Sequence, residues 1–233
     1  MAKKRLDYEL LRILAIFGVV FNHTMERGFE LLTFRNVHMV SRALSLVLGI
    51  CCQVAVPLFL LISGGLLLHK NEPIRTVLKK RVSRILAALV IFSGTMYLFW
   101  CITGYWENPG LPDFLRRLWS DGVLVPYWYL YAYLGLLLML PFLRPMVQGM
   151  SDRAFLYLTA LHLAVYGVFT SFGLLVKWIP VHDSFQLPVT EPYLFYFLMG
   201  YYLAHRFSWE KVGRRQLALI WLAAILAVGW MAL

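Results

Sequence analysis

The sequence predicts an all-α protein, a polytopic bundle of about seven transmembrane helices with its N-terminus in the cytoplasm. Three observations carry that prediction. Hydrophobic residues make up 61% of the 233 positions and charged residues only 15%, with a mean hydropathy of +0.68, outside the range of soluble domains. The apolar residues gather into runs close to the ~20 residues that a helix needs to cross a bilayer core. The basic residues are unequally shared between the connecting segments: 15 of the 22 Lys and Arg fall on one side of the resulting topology, six on the other, and Arg12 inside the first span. By the positive-inside rule the richer side is cytoplasmic.

The seven expected spans are 8–25, 43–68, 84–103, 124–143, 154–177, 190–206 and 215–233. The first follows Lys3, Lys4 and Arg5. It reads as an uncleaved span and not a signal peptide, because Arg12 interrupts the apolar run and no small-residue cleavage site follows. The second is long and contains Pro57, which predicts a kink or tilt. Its Ser63-Gly64-Gly65 lets another backbone approach closely. A basic connection, with Lys70, Arg75, Lys79, Lys80, Arg81 and Arg84, leads into the third. Residues 104–123 mix Pro and Gly with aromatics, as an amphipathic piece at the membrane surface would. The fourth span opens on an aromatic belt and has Pro141 near its other end, with Arg144 and Arg153 flanking the loop beyond. The fifth carries His162, the sixth is short and rich in Tyr and Phe, and the seventh runs to Leu233. No internal repeat and no soluble domain is visible, so residues 1–233 read as one membrane domain.

The net charge of +10 is explained by these topology signals, with no nucleic-acid partner implied; the bilayer is the implied partner, and the basic loops can face its lipids. Cys51, Cys52 and Cys101 all sit in expected spans. Their odd count and spacing give neither a disulfide framework nor a metal site, and they read as small apolar fillers.

Ionisable residues inside spans are costly and mark functional candidates. Arg12 and His23 are eleven steps apart, which on an α-helix puts them about 20° apart around the axis and about 16 Å along it. Arg12 can instead snorkel, paired with Glu9 at i−3. His23 is either a hydrogen-bonded interfacial residue or a general base, since imidazole titrates near neutrality. Glu26, one turn on, and the adjacent Asn22 are both placed to orient its ring. Arg81 and Arg84, at i and i+3, present two guanidinium forks suited to phosphate, or serve only as topology charge. His162 has no acidic neighbour in sequence and reads as a packed helix contact.

Taken together, Arg-X10-His on the first span and Arg-X-X-Arg opening the third resemble the acyltransferase-3 family of integral-membrane acyltransferases. ELLRILAIFGVVFNH, AVPLFLLISGGLLL, WYLYAYLGLLLMLPFLRP and YLFYFLMGYYLA agree, so the resemblance runs through essentially the whole chain. Members of that family usually have ten spans, and the resemblance therefore implies that about three C-terminal spans are missing from this sequence. It further implies an O-acyltransferase of the cell membrane, multi-pass, that moves an acyl group, most often acetyl, from acyl-CoA to a hydroxyl of a sugar-containing, cell-surface acceptor. Acyl-CoA is then a donor substrate, and no bound cofactor or metal is expected. In that scheme His23 is the catalytic base, Arg12 acts beside it and contacts the donor, and Arg81 and Arg84 hold the donor's phosphates. A transporter or flippase of lipid-linked sugars would also need buried charge in a membrane bundle, and an inactive membrane fragment would need none of this chemistry.

Overall fold

In the computed structural model, the described residues are 6–23, 38–106, 109–120, 122–165 and 192–219. Their regular structure is helical throughout. The helices are α1 (Leu6–Asn22), α2 (Met39–Gln53), α3 (Ala55–Leu67), α4 (Ile74–Thr76), a π-helical segment (Val77–Val82), α5 (Ser83–Ile102), α6 (Leu111–Trp119), α7 (Trp128–Gly149), α8 (Asp152–His162) and α9 (Pro192–His205). The chain divides into two compact units, one made of residues 1–66 and 150–233 and the other of residues 67–149.

Three helical stretches are long and apolar enough to cross a membrane: Val47–Leu67, Ile74–Ile102 and Trp128–Gly149. These correspond to the second, third and fourth expected spans. The first is represented by the 17 residues of α1, the fifth by α8 and the sixth by α9. The expected seventh lies largely outside the described residues. Leu10, Leu14, Phe17 and Val20 on α1 are exposed, as they would be on a lipid-facing helix.

The first unit is held by close helix crossings. α1 meets α2 and the start of α3 through Gly18, where an added Cβ would stand 3.5 Å from Cys52 O and 3.1 Å from Ala55 Cβ. α3 crosses α9 with their backbones in contact, since a Cβ at Gly64 would fall 1.8 Å from Phe197 O and one at Gly200 2.0 Å from Leu61 O. Both positions admit only hydrogen, which fulfils the expectation for Ser63-Gly64-Gly65. His205 closes the crossing, with Nε2 2.7 Å from Gly65 O. His162 is buried flat against Phe195, ring centroids 3.7 Å apart, the packed helix contact that its sequence context indicated.

The second expected span breaks at Val54, ahead of Pro57. Proline has no N–H to give the carbonyl four residues back and its ring crowds that carbonyl; the residue four back is Gln53, where α2 ends. The chain resumes as α3 with Leu58 N donating to Val54 O at 2.9 Å.

In the second unit, α7 buries Leu140, Leu143 and Val147, a stripe at the i, i+3, i+7 spacing of one helix face. The helix continues through Gly149, so Arg144 lies inside it and not in the loop that the sequence placed after residue 143. At the far end of α5, α6 folds back: Tyr97 donates to Asp113 Oδ2 at 2.9 Å, Arg117 Nε donates to the same oxygen at 2.7 Å, and the Arg117 guanidinium stacks 3.5 Å over Trp106. Leu111, Leu115 and Trp119, four residues apart, are left exposed. This is the amphipathic piece expected between residues 104 and 123.

Candidate functional site

The expected site residues fall into two groups, one in each compact unit. Arg12 is half-buried on α1, and its Nη1 donates to Glu9 Oε1 at 2.8 Å. The i−3 pairing foreseen from sequence is therefore made, and it leaves the Nε and Nη2 donors for another acceptor. Three turns on, α1 ends at Asn22. His23 occupies the turn immediately after it, exposed, with its backbone N donating to Val20 O at 3.1 Å. Glu26 lies outside the described residues.

Asn22 gives this end of α1 its chemical character. Its Oδ1 is buried, and among the described residues it has no hydrogen-bond partner. Buried amide oxygens are almost always satisfied, so an unmatched one beside an exposed imidazole is a place where a hydroxyl donor gains a bond. The large apolar groove of this unit, with a volume of 610 Å³, is lined by Leu14, Phe17, Phe21, Cys51 and Leu58 among others. Leu14, Phe17 and Phe21 lie about 140–200° around the helix axis from Arg12. The groove therefore belongs to the opposite face of α1 from the Arg12–His23 stripe.

The second group is built on segment 67–84. Glu72 precedes Pro73, and a residue before proline is driven out of the helical region into an extended conformation. Helix therefore starts only at Ile74, leaving the Glu72 side chain free to meet partners further along. Arg81 grips it side-on: Nε donates to Oε2 at 3.0 Å and Nη2 to Oε1 at 2.6 Å. Arg144 reaches the same carboxylate from α7, Nη2 to Oε2 at 2.9 Å. Arg144 is only 5% exposed, and its other two nitrogens are also engaged, Nε donating to Leu67 O and Nη1 to Glu72 O, both at 3.1 Å. Gln148, one turn on, donates to Leu68 O at 2.8 Å. Hydrogen bonds from Arg81, and then from Arg144, outweigh partial burial and hold the Glu72 carboxyl down at about 2.

Arg84 differs from Arg81. It is exposed in the first turn of α5, and its side chain has no partner among the described residues. Arg75, Lys79 and Lys80 are likewise exposed. The intervening Val77–Val82 is wound as a π-helix, a widening often found where a helix serves a function. The result is a strip of cations with no counter-charge among the described residues, beside one arginine whose counter-charge is built in.

Glu72 and Arg144 are functional candidates that the motif spacing did not reveal. Glu72 stood in a loop of mixed charge, and Arg144 looked like one more topology signal. The usable signal was register, because Arg144 is the i+4 neighbour of Leu140 and precedes Val147 by three, on the buried stripe of α7. Among the described residues, no group of three or more His, Cys, Asp or Glu is placed to hold a metal ion, and the three cysteines are free thiols.

A family model described as an acyltransferase domain, that of the acyltransferase-3 family, matches residues 5–233. No curated protein and no solved structure matches the chain.

Proposed function

Because the chain belongs to the acyltransferase-3 family of integral-membrane acyltransferases, we propose that it is an O-acyltransferase of the cell membrane. It takes an acyl group, acetyl by preference, from cytoplasmic acyl-CoA and gives it to a hydroxyl of a sugar-containing acceptor. The observation that carries this reading is the end of α1: an exposed His23 beside the buried Oδ1 of Asn22, which has no hydrogen-bond partner among the described residues.

In this scheme Asn22 Oδ1 and the His23 ring receive the acceptor hydroxyl. His23 removes its proton as general base while the hydroxyl oxygen bonds to the thioester carbonyl carbon. The carbon–sulfur bond then breaks, and the imidazolium returns its proton to the departing CoA thiolate. The donor approaches along the face shared by Arg12 and His23, about 16 Å by helical rise, a length that suits the thin pantetheine arm. The family resemblance assigns the donor's phosphates to Arg84 and Arg81, whose guanidinium forks are matched to phosphate oxygens.

The test is transfer of radiolabel from acetyl-CoA in membranes carrying the protein. His23→Ala removes a general base, and transfer should fall by about 10²–10⁴-fold with the protein still inserted at its normal level. Arg84→Ala should raise the apparent KM for acetyl-CoA with kcat little changed, since it contacts the donor in ground and transition states alike. Undiminished transfer by His23→Ala removes His23 from the mechanism.

A further inference from the structure

Glu72 is the point at which the second charged cluster converges, and we infer that it is a positioning residue for donor binding: its carboxylate fixes the Arg81 guanidinium to the buried Arg144 and so sets the edge that Arg81 presents to an acyl-CoA phosphate. The inference rests on the acyltransferase reading above and adds to it a residue outside the Arg-X10-His and Arg-X-X-Arg patterns.

The three charged groups have distinct geometries. Arg144 is an anchor, because all three of its nitrogens are engaged with Leu67 O, Glu72 O and Glu72 Oε2, inside the protein. It holds both the backbone and the side chain of Glu72. Arg81 is a presenter. Its side-on grip uses Nε and one hydrogen of Nη2, and a planar guanidinium has five donors. The edge formed by Nη1 and the second Nη2 hydrogen is not needed by Glu72, and it is the edge that grips a phosphate bidentately. The Arg81 side chain remains partly accessible, at 23%.

Without the carboxylate, Arg81 would be a long flexible side chain like Lys79 or Lys80, and binding a phosphate would cost its rotamer freedom each time. With it, that ordering is done during folding. A ligand-contacting group held by an outer partner is the arrangement that sustains precise sites. The same carboxylate also keeps two guanidiniums from repelling each other in one place, so the cluster retains a net positive charge for an anion.

The experiment compares wild type, Glu72→Gln and Glu72→Asp, each as the full chain. It measures the acetyl-CoA dependence of transfer in membranes, and the thermal shift of the purified protein with CoA alone. Glu72→Gln puts an amide N–H where Arg81 needs an acceptor, and loss of one charge-assisted pair should raise the apparent KM by roughly tenfold. kcat should stay within about twofold, because the interaction is uniform between ground and transition states, and the CoA-induced shift should disappear. Glu72→Asp keeps the charge and should recover most of both. It also decides the matter if Glu72→Gln does not fold. Unchanged KM and an unchanged CoA shift in the variants would overturn the inference. So would a joint fall in kcat and folded protein with KM preserved, which would make the carboxylate a fold tie only. A wild type that neither transfers acetyl nor responds to CoA would overturn the acyltransferase reading itself.

Discussion

At the scale of single residues, the buried arginine on α7 is the most exposed to test. Arg144→Ala would leave Leu67 O and Glu72 O without their donors and the Glu72 carboxylate with Arg81 alone. Truncating one partner of a buried pair costs up to 3–5 kcal/mol; with Arg81 remaining, a loss of about 3 kcal/mol is expected in the unfolding of detergent-solubilised protein. A loss under about 0.5 kcal/mol, the scale of ordinary surface changes, would mean that the cluster holds nothing together. Its pH dependence has a definite sign. The Glu72 carboxyl is depressed from its ordinary 4.5 to about 2, so its contribution is complete above 4.5 and fades as pH falls from 4.5 towards 2. The stability gap between wild type and Glu72→Gln should therefore stay constant from pH 7 to about 5 and close below that. The Arg12–Glu9 pair, three residues apart on one helix, was legible in the sequence because local spacing decides it. Glu72 and Arg144 are 72 residues apart, and no local pattern reports such a meeting.

At the scale of elements, helix positions were legible because a membrane-length apolar run has few alternatives, and the close approach at Gly64 because small residues in a span have a known use. The break at Val54 was displaced from Pro57 for a reason that the sequence does contain, since a proline's damage falls on the carbonyl four residues back. The α3–α9 crossing gives the sharpest test. A methyl at Gly64 or Gly200 would sit at 1.8 or 2.0 Å from a backbone oxygen, and backbone cannot rotate away as a side chain can. Gly64→Ala and Gly200→Ala should each lower the melting temperature strongly and reduce the folded yield. Gly135→Ala, in α7 with nothing within 4 Å of the new Cβ, should do the opposite by the helix propensity of alanine, about 0.5–1 kcal/mol. Equal behaviour of the three variants would deny that α3 and α9 touch through their backbones.

At the scale of the whole molecule, the function depends on orientation. By the positive-inside rule, charge asymmetry, 15 basic residues against six, predicts Arg75, Lys79, Lys80 and Arg84 on the cytoplasmic side, the side from which the proposed acyl-CoA donor would come. The 20 residues of α5 rise about 30 Å, one hydrocarbon thickness, and α6 follows at their other end with Trp119 91% exposed. Single-cysteine reporters should separate the two ends in a chain whose Cys51, Cys52 and Cys101 have been replaced by Ala. Trp119→Cys should react with an impermeant thiol reagent in intact cells, and Lys79→Cys only after the membrane is opened. The reverse pattern would put the cationic strip and the Glu72 cluster outside, away from the acyl-CoA pool, and the donor site would lose its meaning even with every contact intact. Reaction of both from the same side would show that α5 does not span. The charge count that predicts the topology and the guanidinium geometry from which the donor site is proposed are separate arguments, and this labelling experiment requires them to agree.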